Sequence, residues 1–305
     1  VIQKLRDASV LLQYLGMGLI WGASFLFMKV ALEGGVSFGQ VAWSRLILGS
    51  LALGAVVLVT RSKLPRDPIL YLHFLVIGVT GCVIPHLLFA WGEQYVSSSL
   101  ASIYNAVTPI TTALMVTLAF RVEKLNRGQI LGVAVGVIGV LVIIGPWRYA
   151  ALTGDVWGQL ACLLAAVCYG FTFGYTRTYI SKRDVSSVTV AFLQIGSGGV
   201  VMLLLTPVLA VGAVTFDLWV VGGLLVLGIV GTGFAYLWNI AVLRAWGPTT
   251  TSTVTYVTPI VGVVLGILVL GETFSWNEPA GAVLVFLGIL LTQKRLRMRR
   301  VALAG

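Results

Sequence analysis

The chain has 305 residues, of which 58% are hydrophobic and only 10% charged, and its mean hydropathy is +1.01. A soluble domain of this size needs about 25% charged residues to cover its surface, so an ordinary cytosolic enzyme, a disordered chain and a collagen-like fibre are excluded. Twenty Lys and Arg against ten Asp and Glu give a net charge of +10, which marks either a basic patch for nucleic acid or anionic lipid, or the cytoplasmic loops of a polytopic membrane protein.

A helix that crosses a bilayer needs about 20 mainly apolar residues. Ten such runs are present, at 11–31, 38–59, 69–91, 98–119, 128–146, 158–179, 187–209, 219–243, 248–270 and 278–293. They do not alternate in polarity as transmembrane strands do, so they are read as helices. The first carries Trp21, Ser24 and Phe25, with Lys29 near its end. The second carries Arg45, roughly 10 Å in from its outer end at the helical rise per residue. Arg45 has three readings open to it: snorkelling outward, pairing with Glu33, or neutralising a substrate carboxylate. The third carries Cys82, His86 and Phe89, with His73 nearer its start. His86 is the mid-depth group able to change charge near neutral pH, either as a proton relay or as a hydrogen-bonded neutral imidazole. The fourth holds Ser98, Ser102, Asn105 and Thr112 around Pro109. In the fifth, Gly128, Gly132 and Gly136 form a face for close helix packing, within the core or against a second copy in a homodimer.

The sixth run carries Tyr169, Thr172 and Phe173, with Arg177 near its inner end. Lys29 and Arg177 are expected to reach the headgroups. In the eighth run Thr232, Tyr236 and Asn239 fall at i, i+4 and i+7, on one helix face. The ninth has Ser252, Thr255 and Tyr256 before Pro259. Polar residues within a span face protein or water rather than lipid. The expected substrate lining is therefore Trp21, Phe25, His86, Ser102, Asn105, Tyr169, Tyr236, Asn239 and Tyr256. The bland alternative has Ser and Thr bonding their own helix and the aromatics packing or lying at the interface. Pro109 and Pro259 each remove a backbone hydrogen bond and serve as hinges or as fixed kinks.

With both termini cytoplasmic, the inside segments hold sixteen of the twenty basic residues, and the outside loops hold one, Arg148. Glu33, Glu93, Asp155, Asp217, Glu272 and Glu278 fall outside. This obeys the positive-inside rule, so the basic residues read as topology signals, and the tail from Lys294 to Arg300 can touch anionic lipid. Basic surface with interleaved aromatics is missing outside the spans, so nucleic acid is not an expected partner. The first run is long enough to span and lacks a small-residue cleavage site, so it is not read as a cleavable signal peptide. Cys82, Cys162 and Cys168 lie within runs and read as small buried hydrophobes rather than disulfides. Neither a metal-binding constellation nor a nucleophile–base pair is present, so no cofactor, metal or enzyme activity is expected.

The two halves match at a near-constant offset of 148 to 150 residues. Thr108-Pro109-Ile110 recurs as Thr258-Pro259-Ile260, Glu123 as Glu272, and Gly132 and Gly139 as Gly281 and Gly288. Trp21-Gly22, Phe25 and Lys29 answer to Tyr169-Gly170, Phe173 and Arg177, and Gly78 and Gly81 to Gly228 and Gly231. Each half, 1–150 and 151–305, holds five runs. Five is odd, so the second half enters the membrane from the opposite side. The expected architecture is all-α, with ten transmembrane helices in two inverted repeats, the arrangement used by secondary transporters for alternating access.

These residues carry a resemblance. Trp21-Gly22, Arg45, and the run Pro109, Glu123, Gly132 with its second copy Pro259, Glu272, Gly281 resemble the EamA domain, which occurs in duplicate in the drug/metabolite transporter superfamily. The aromatic density and the first half look most like YddG-type aromatic amino acid exporters. Gln194 stands where the repeat would duplicate Arg45, a departure from the pattern. The resemblance implies ten helices, the bacterial inner membrane, and export of metabolites or amino acids. A neutral or zwitterionic amphipathic substrate fits residues such as Asn, Ser, Trp and Tyr. Multidrug, quaternary-cation or nucleotide-sugar transport, and a channel or lipid scramblase, stand as alternatives.

Overall fold

In a bilayer every backbone N–H and C=O must find a partner within the protein, and a helix does this within one segment. The described regular structure is accordingly all helical. The computed structural model describes residues 2–121, 125–145, 154–181, 183–212, 217–251 and 254–301. Glu123, Lys124, Arg148, Lys182 and Ser252 lie outside them, as do the side chains of Thr255, Arg244 and the basic tail. The elements are α1 (Ile2–Glu33), α2 (Phe38–Thr60), α3 (Pro68–Gly78), a π-helical segment Val79–Val83, α4 (Ile84–Gly92), α5 (Ser98–Asn105), α6 (Thr108–Leu114), a second π segment Met115–Ala119, and α7 (Arg127–Ile144). There follow α8 (Gly154–Tyr179), α9 (Ser187–Leu204), α10 (Thr206–Leu209), α11 (Leu218–Leu225), a third π segment Val226–Phe234, α12 (Ala235–Thr251), α13 (Val254–Leu270) and α14 (Asn277–Val301).

The helix starts are written in the sequence. The hydroxyl of Ser37 caps α2 in a capping box with Gln40, and Asn126 and Gln129 form the same box on α7. Asp67 caps α3 with Pro68 in its first turn, and Ser97 caps α5. Each cap satisfies backbone N–H groups that would otherwise have no partner. Among the described residues eight helices are long and apolar enough to cross a membrane, and shorter apolar helices at Tyr256–Leu270 and Asn277–Thr292 occupy the ninth and tenth expected positions.

Three expected spans are interrupted in ways the hydropathy did not foreshadow. The fourth breaks between Asn105 and Thr108, so Pro109 sits in the first turn of α6, where a missing N–H costs nothing. Pro259, its sequence mate, lies inside an unbroken α13. The third and eighth each contain a π segment, Val79–Val83 and Val226–Phe234, at matching positions of the two halves.

The packing also repeats. Helix α1 lies on α12 and α13, and α8 lies on α4 and α6. Gly22 permits the first approach: a Cβ there would come within 2.7 Å of Thr258 O. Its mate Gly170 permits the second, where a Cβ would lie 2.7 Å from the Thr111 carbonyl carbon. Helices α7 and α14 cross through their glycines: a Cβ on Gly132 would meet Gly288 O at 2.6 Å, and one on Gly139 would meet Gly281 O at 2.8 Å. The glycine face of the fifth run is thus filled by a helix of the same chain. Cys82 and Cys162 are buried and Cys168 half-buried, all as free thiols.

Candidate functional site

The ring of Trp21 projects from α1 toward the third π segment. A π turn is wider than an α turn and frees carbonyls from the helix ladder. Gly231 O is one of these, and Trp21 Nε1 donates to it at 3.0 Å. The same indole meets the ring of Tyr236 edge-on, with centroids 5.9 Å apart. Tyr236 OH in turn lies 4.0 Å from Cys82 Sγ. A second aromatic series runs beside the first. Phe25 meets Phe89 edge-on at 5.4 Å, and Phe89 stacks on Tyr169 at 6.1 Å. Four elements from both halves therefore converge: α1, α4, α8 and α12.

The polar groups of this cluster are buried. Arg45 on α2 is 8% exposed, and its Nε donates to Thr232 Oγ1 at 3.0 Å. Thr232 Oγ1 gives its own proton to Leu227 O at 3.0 Å, so its lone pair faces the guanidinium. His86 is 3% exposed, and among the described residues its Nδ1 has no hydrogen-bond partner. Asn105 and Asn239 are half-buried, and among the described residues neither side-chain amide has a partner. A buried nitrogen without a partner, as in His86, is costly in protein and is satisfied by water or ligand.

The repeat places one contact twice with different chemistry. Thr232 corresponds to Cys82, and Arg45 to Gln194. Gln194 Nε2 donates to Cys82 Sγ at 3.8 Å, just as Arg45 Nε donates to Thr232 Oγ1. The scaffold is shared and the charge is not.

Several side chains lie elsewhere than the sequence suggested. Arg45 neither snorkels nor pairs with Glu33: it turns inward to Thr232, because α2 packs against the π segment. Lys29 does not reach headgroups; its Nζ donates to Glu93 O at 2.7 Å and Val96 O at 3.2 Å, tying α1 to the end of α4. Phe173 is 54% exposed, on the outer side of α8, and does not join the aromatic series. Ser102 donates to Ser99 O at 2.7 Å within its own helix and packs where α13 presents Gly262. Tyr256 lies against Phe286 at 6.3 Å, on α14. Trp21, Phe25, His86, Tyr169 and Tyr236 thus share one region, while Ser102 and Tyr256 belong to helix contacts. A groove of about 520 Å³, lined by Leu48, Leu51, Ala55, Val59, Ile229 and Phe234, carries none of these polar groups.

By sequence Glu93 falls in an outside loop. It lies one residue past the span Pro68–Gly92 yet is fully buried, and among the described residues neither carboxylate oxygen has a hydrogen-bond partner. Burial pushes its carboxyl well above the usual carboxylate range; Lys29 pulls it back, and Glu272 pushes it further up. The folded state therefore keeps a proton that the unfolded chain has released. Stability from this group is complete below the ordinary glutamate value of about 4.3 and declines as pH rises toward the folded value. Glu93→Gln, which imitates the protonated carboxyl, is expected to flatten that decline in melting temperature as pH rises above the ordinary glutamate value. An unchanged slope in the variant would show that Glu93 titrates as an exposed acid does. The signal available in sequence was weak: Trp91-Gly92-Glu93 ends an apolar run, and nothing local separates a buried end from an exposed one.

Comparisons with known proteins agree with this architecture. The model of the EamA-like transporter family matches the chain twice, over residues 8–145 and 156–293. A probable terminal-alkyne amino-acid exporter from Streptantibioticus cattleyicolor is 29% identical over 284 residues, covering 92% of both chains. A probable amino-acid metabolite efflux pump from Salmonella typhimurium is 26% identical over 93% of this chain and 94% of its own. A crystal structure 18% identical in sequence superposes with a TM-score of 0.63, over 95% of this chain and 98% of that one, a likeness of fold.

Proposed function

The chain belongs to the EamA-like transporter family through both of its halves, and from that premise we propose that it exports amino acids or closely related amphipathic metabolites by alternating access. It is a multi-pass membrane protein and a transporter, not an enzyme. The finer reading is an inner-membrane exporter with aromatic amino acids among its substrates. It consists of two inverted five-helix repeats, 1–150 and 151–305, with both termini cytoplasmic.

One observation carries the substrate class. The cluster is built of aromatic rings from both halves, Trp21, Phe25 and Phe89 from the first and Tyr169 and Tyr236 from the second, and in this reading the half-buried amides of Asn105 and Asn239 complete it. Rings take an apolar or aromatic side chain, and amides take a carboxylate or ammonium. A site made by two halves is remade when they move against each other, which is what alternating access requires. The names of the two relatives, an amino-acid exporter and an amino-acid metabolite efflux pump, point the same way. In this reading Pro109, at the broken fourth span, is the pivot, and Pro259 stiffens the wall opposite it.

The test is flux of labelled phenylalanine and leucine from proteoliposomes. Wild-type protein is expected to give saturable flux. Asn105→Ala and Asn239→Ala are each expected to raise KM roughly tenfold, the loss of about one hydrogen bond to a charged group. Flux that stays linear with concentration, or none at all, would overturn the exporter reading.

A further inference from the structure

We propose that Arg45 is the carboxylate-binding residue of this transporter, and that the ligands it selects are organic monocarboxylates with an apolar or aromatic body. This deepens the exporter reading and rests on it for the location of the ligand.

The first observation is an unbalanced charge. A guanidinium in a membrane span is costly and normally meets a carboxylate, a carbonyl array or water. Arg45 is 8% exposed. Among the described residues it forms no ion pair, and its hydrogen bond is to the neutral Thr232. Glu93 is a buried acid within its electrostatic reach, but neither oxygen of Glu93 has a hydrogen-bond partner, so Arg45 does not hold it.

The second observation is orientation. Thr232 donates to Leu227 O and accepts from Arg45 Nε, which fixes the plane of the guanidinium. The two terminal amino groups remain as a pre-set fork, the geometry that matches both oxygens of a carboxylate.

The third observation comes from the repeat. At the equivalent position Gln194 makes the equivalent contact to Cys82. A neutral amide therefore meets the packing need at that corner of the fold, and packing alone does not demand an arginine. The charge is surplus to the scaffold and available to a ligand.

The surroundings define the rest of the ligand. His86, Tyr169, Tyr236 and Cys82 all lie within the electrostatic reach of Arg45. Tyr236 meets Trp21, and Tyr169 meets Phe89. A molecule whose carboxylate sits on Arg45 would lay its body among these rings. Arg45 also sets the field against a cation that lacks a carboxylate: a simple amine of the same shape would meet a like charge with nothing to offset it.

The experiment is ligand-induced thermal stabilisation and titration calorimetry of the detergent-solubilised full chain. The panel is phenylalanine, 3-phenylpropionate, phenylalaninamide and phenethylamine, with leucine and leucinamide as aliphatic counterparts. Wild type is expected to bind the carboxylates at least roughly tenfold more tightly than the amides and amines, and R45Q to abolish that difference. R45K, which keeps the charge but not the fork, is expected to retain part of it. If R45Q does not fold, the wild-type panel and R45K decide. Equal affinity of wild type for acid and amide, failure to bind any carboxylate, or undiminished discrimination in the variants overturns the proposal. A wild type that discriminates in binding but gives no saturable flux would uphold Arg45 and sink the exporter reading instead.

Discussion

Gly288→Leu is expected to prevent folded protein from accumulating. Helices α7 and α14 touch along their backbones, with Gly132, Gly136 and Gly139 facing Gly281 and Gly288. A Cβ at residue 288 would lie 2.6 Å from Gly132 O and 2.6 Å from Gly136 N. Backbone atoms within a helix cannot step aside, so the two helices must separate. Separation opens the layer of Val140, Ile143, Val285 and Ile289, all buried. Overpacking that side chains can absorb costs about 1–3 kcal/mol, and a backbone clash in a lipid-embedded pair exceeds that range because close approach supplies the association energy. Gly288→Ala is expected to fall between wild type and leucine. Gly222→Ala is the control, since nothing lies within 4 Å of its added Cβ. The measurement is the yield and monodispersity of detergent-extracted protein on size exclusion. A monodisperse Gly288→Leu protein with wild-type melting would refute the α7–α14 crossing.

Glu272→Ala is expected to lower stability by about 3 kcal/mol, the scale of losing several hydrogen bonds to one charged acceptor. Glu272 reaches from the loop after α13 to the start of α5. Its Oε1 accepts from Ser98 N at 2.7 Å, and its Oε2 accepts from Ser99 N at 3.0 Å and from Ser99 Oγ. A carboxylate at this place satisfies orphan N–H groups and sits at the positive end of the helix dipole. Helix α5 is only eight residues long and ends at Asn105. The loss should therefore spread to the site, raising KM for transport as well as lowering the melting temperature. Glu272→Gln keeps one acceptor and should restore part of both. Wild-type melting in Glu272→Ala would show that Ser97, the hydroxyl cap donating order to the same turn, suffices alone.

The extent to which the site could be read beforehand differs from residue to residue. Trp21, Phe25, His86, Tyr169 and Tyr236 were legible as a group because polar or aromatic residues recur at matching places in two apolar halves, and the fold brings these side chains into one region. Ser102 and Tyr256 satisfied the same pattern yet went to helix contacts. Periodicity assigns a residue to a helix face, but not to the neighbour that covers the face. Lys29 and Glu93 were misplaced for a related reason. Both lie at span ends, where composition permits headgroup, loop and buried cap alike, and only the arrival of α4 beside α1 selects the last. The π segments had a faint trace in Gly78, Gly81, Gly228 and Gly231, but a wide turn differs from a narrow one by a single register step that hydropathy averages away.

Local chemistry and the bilayer account for what the sequence by itself determined. Apolar runs of spanning length must be helices, and a constant offset between halves must mean duplication. Each follows from interactions within a few residues or from the solvent. The tertiary structure alone decided which half supplies which wall: that Arg45 faces Thr232 rather than lipid, that Gly132 meets Gly288 rather than a second copy, and that Glu272 closes a helix 174 residues away. Those choices depend on which helices lie side by side. In a membrane, where every helix surface is nearly equally apolar, the small residues that allow close approach and the few buried polar groups that demand partners make that selection.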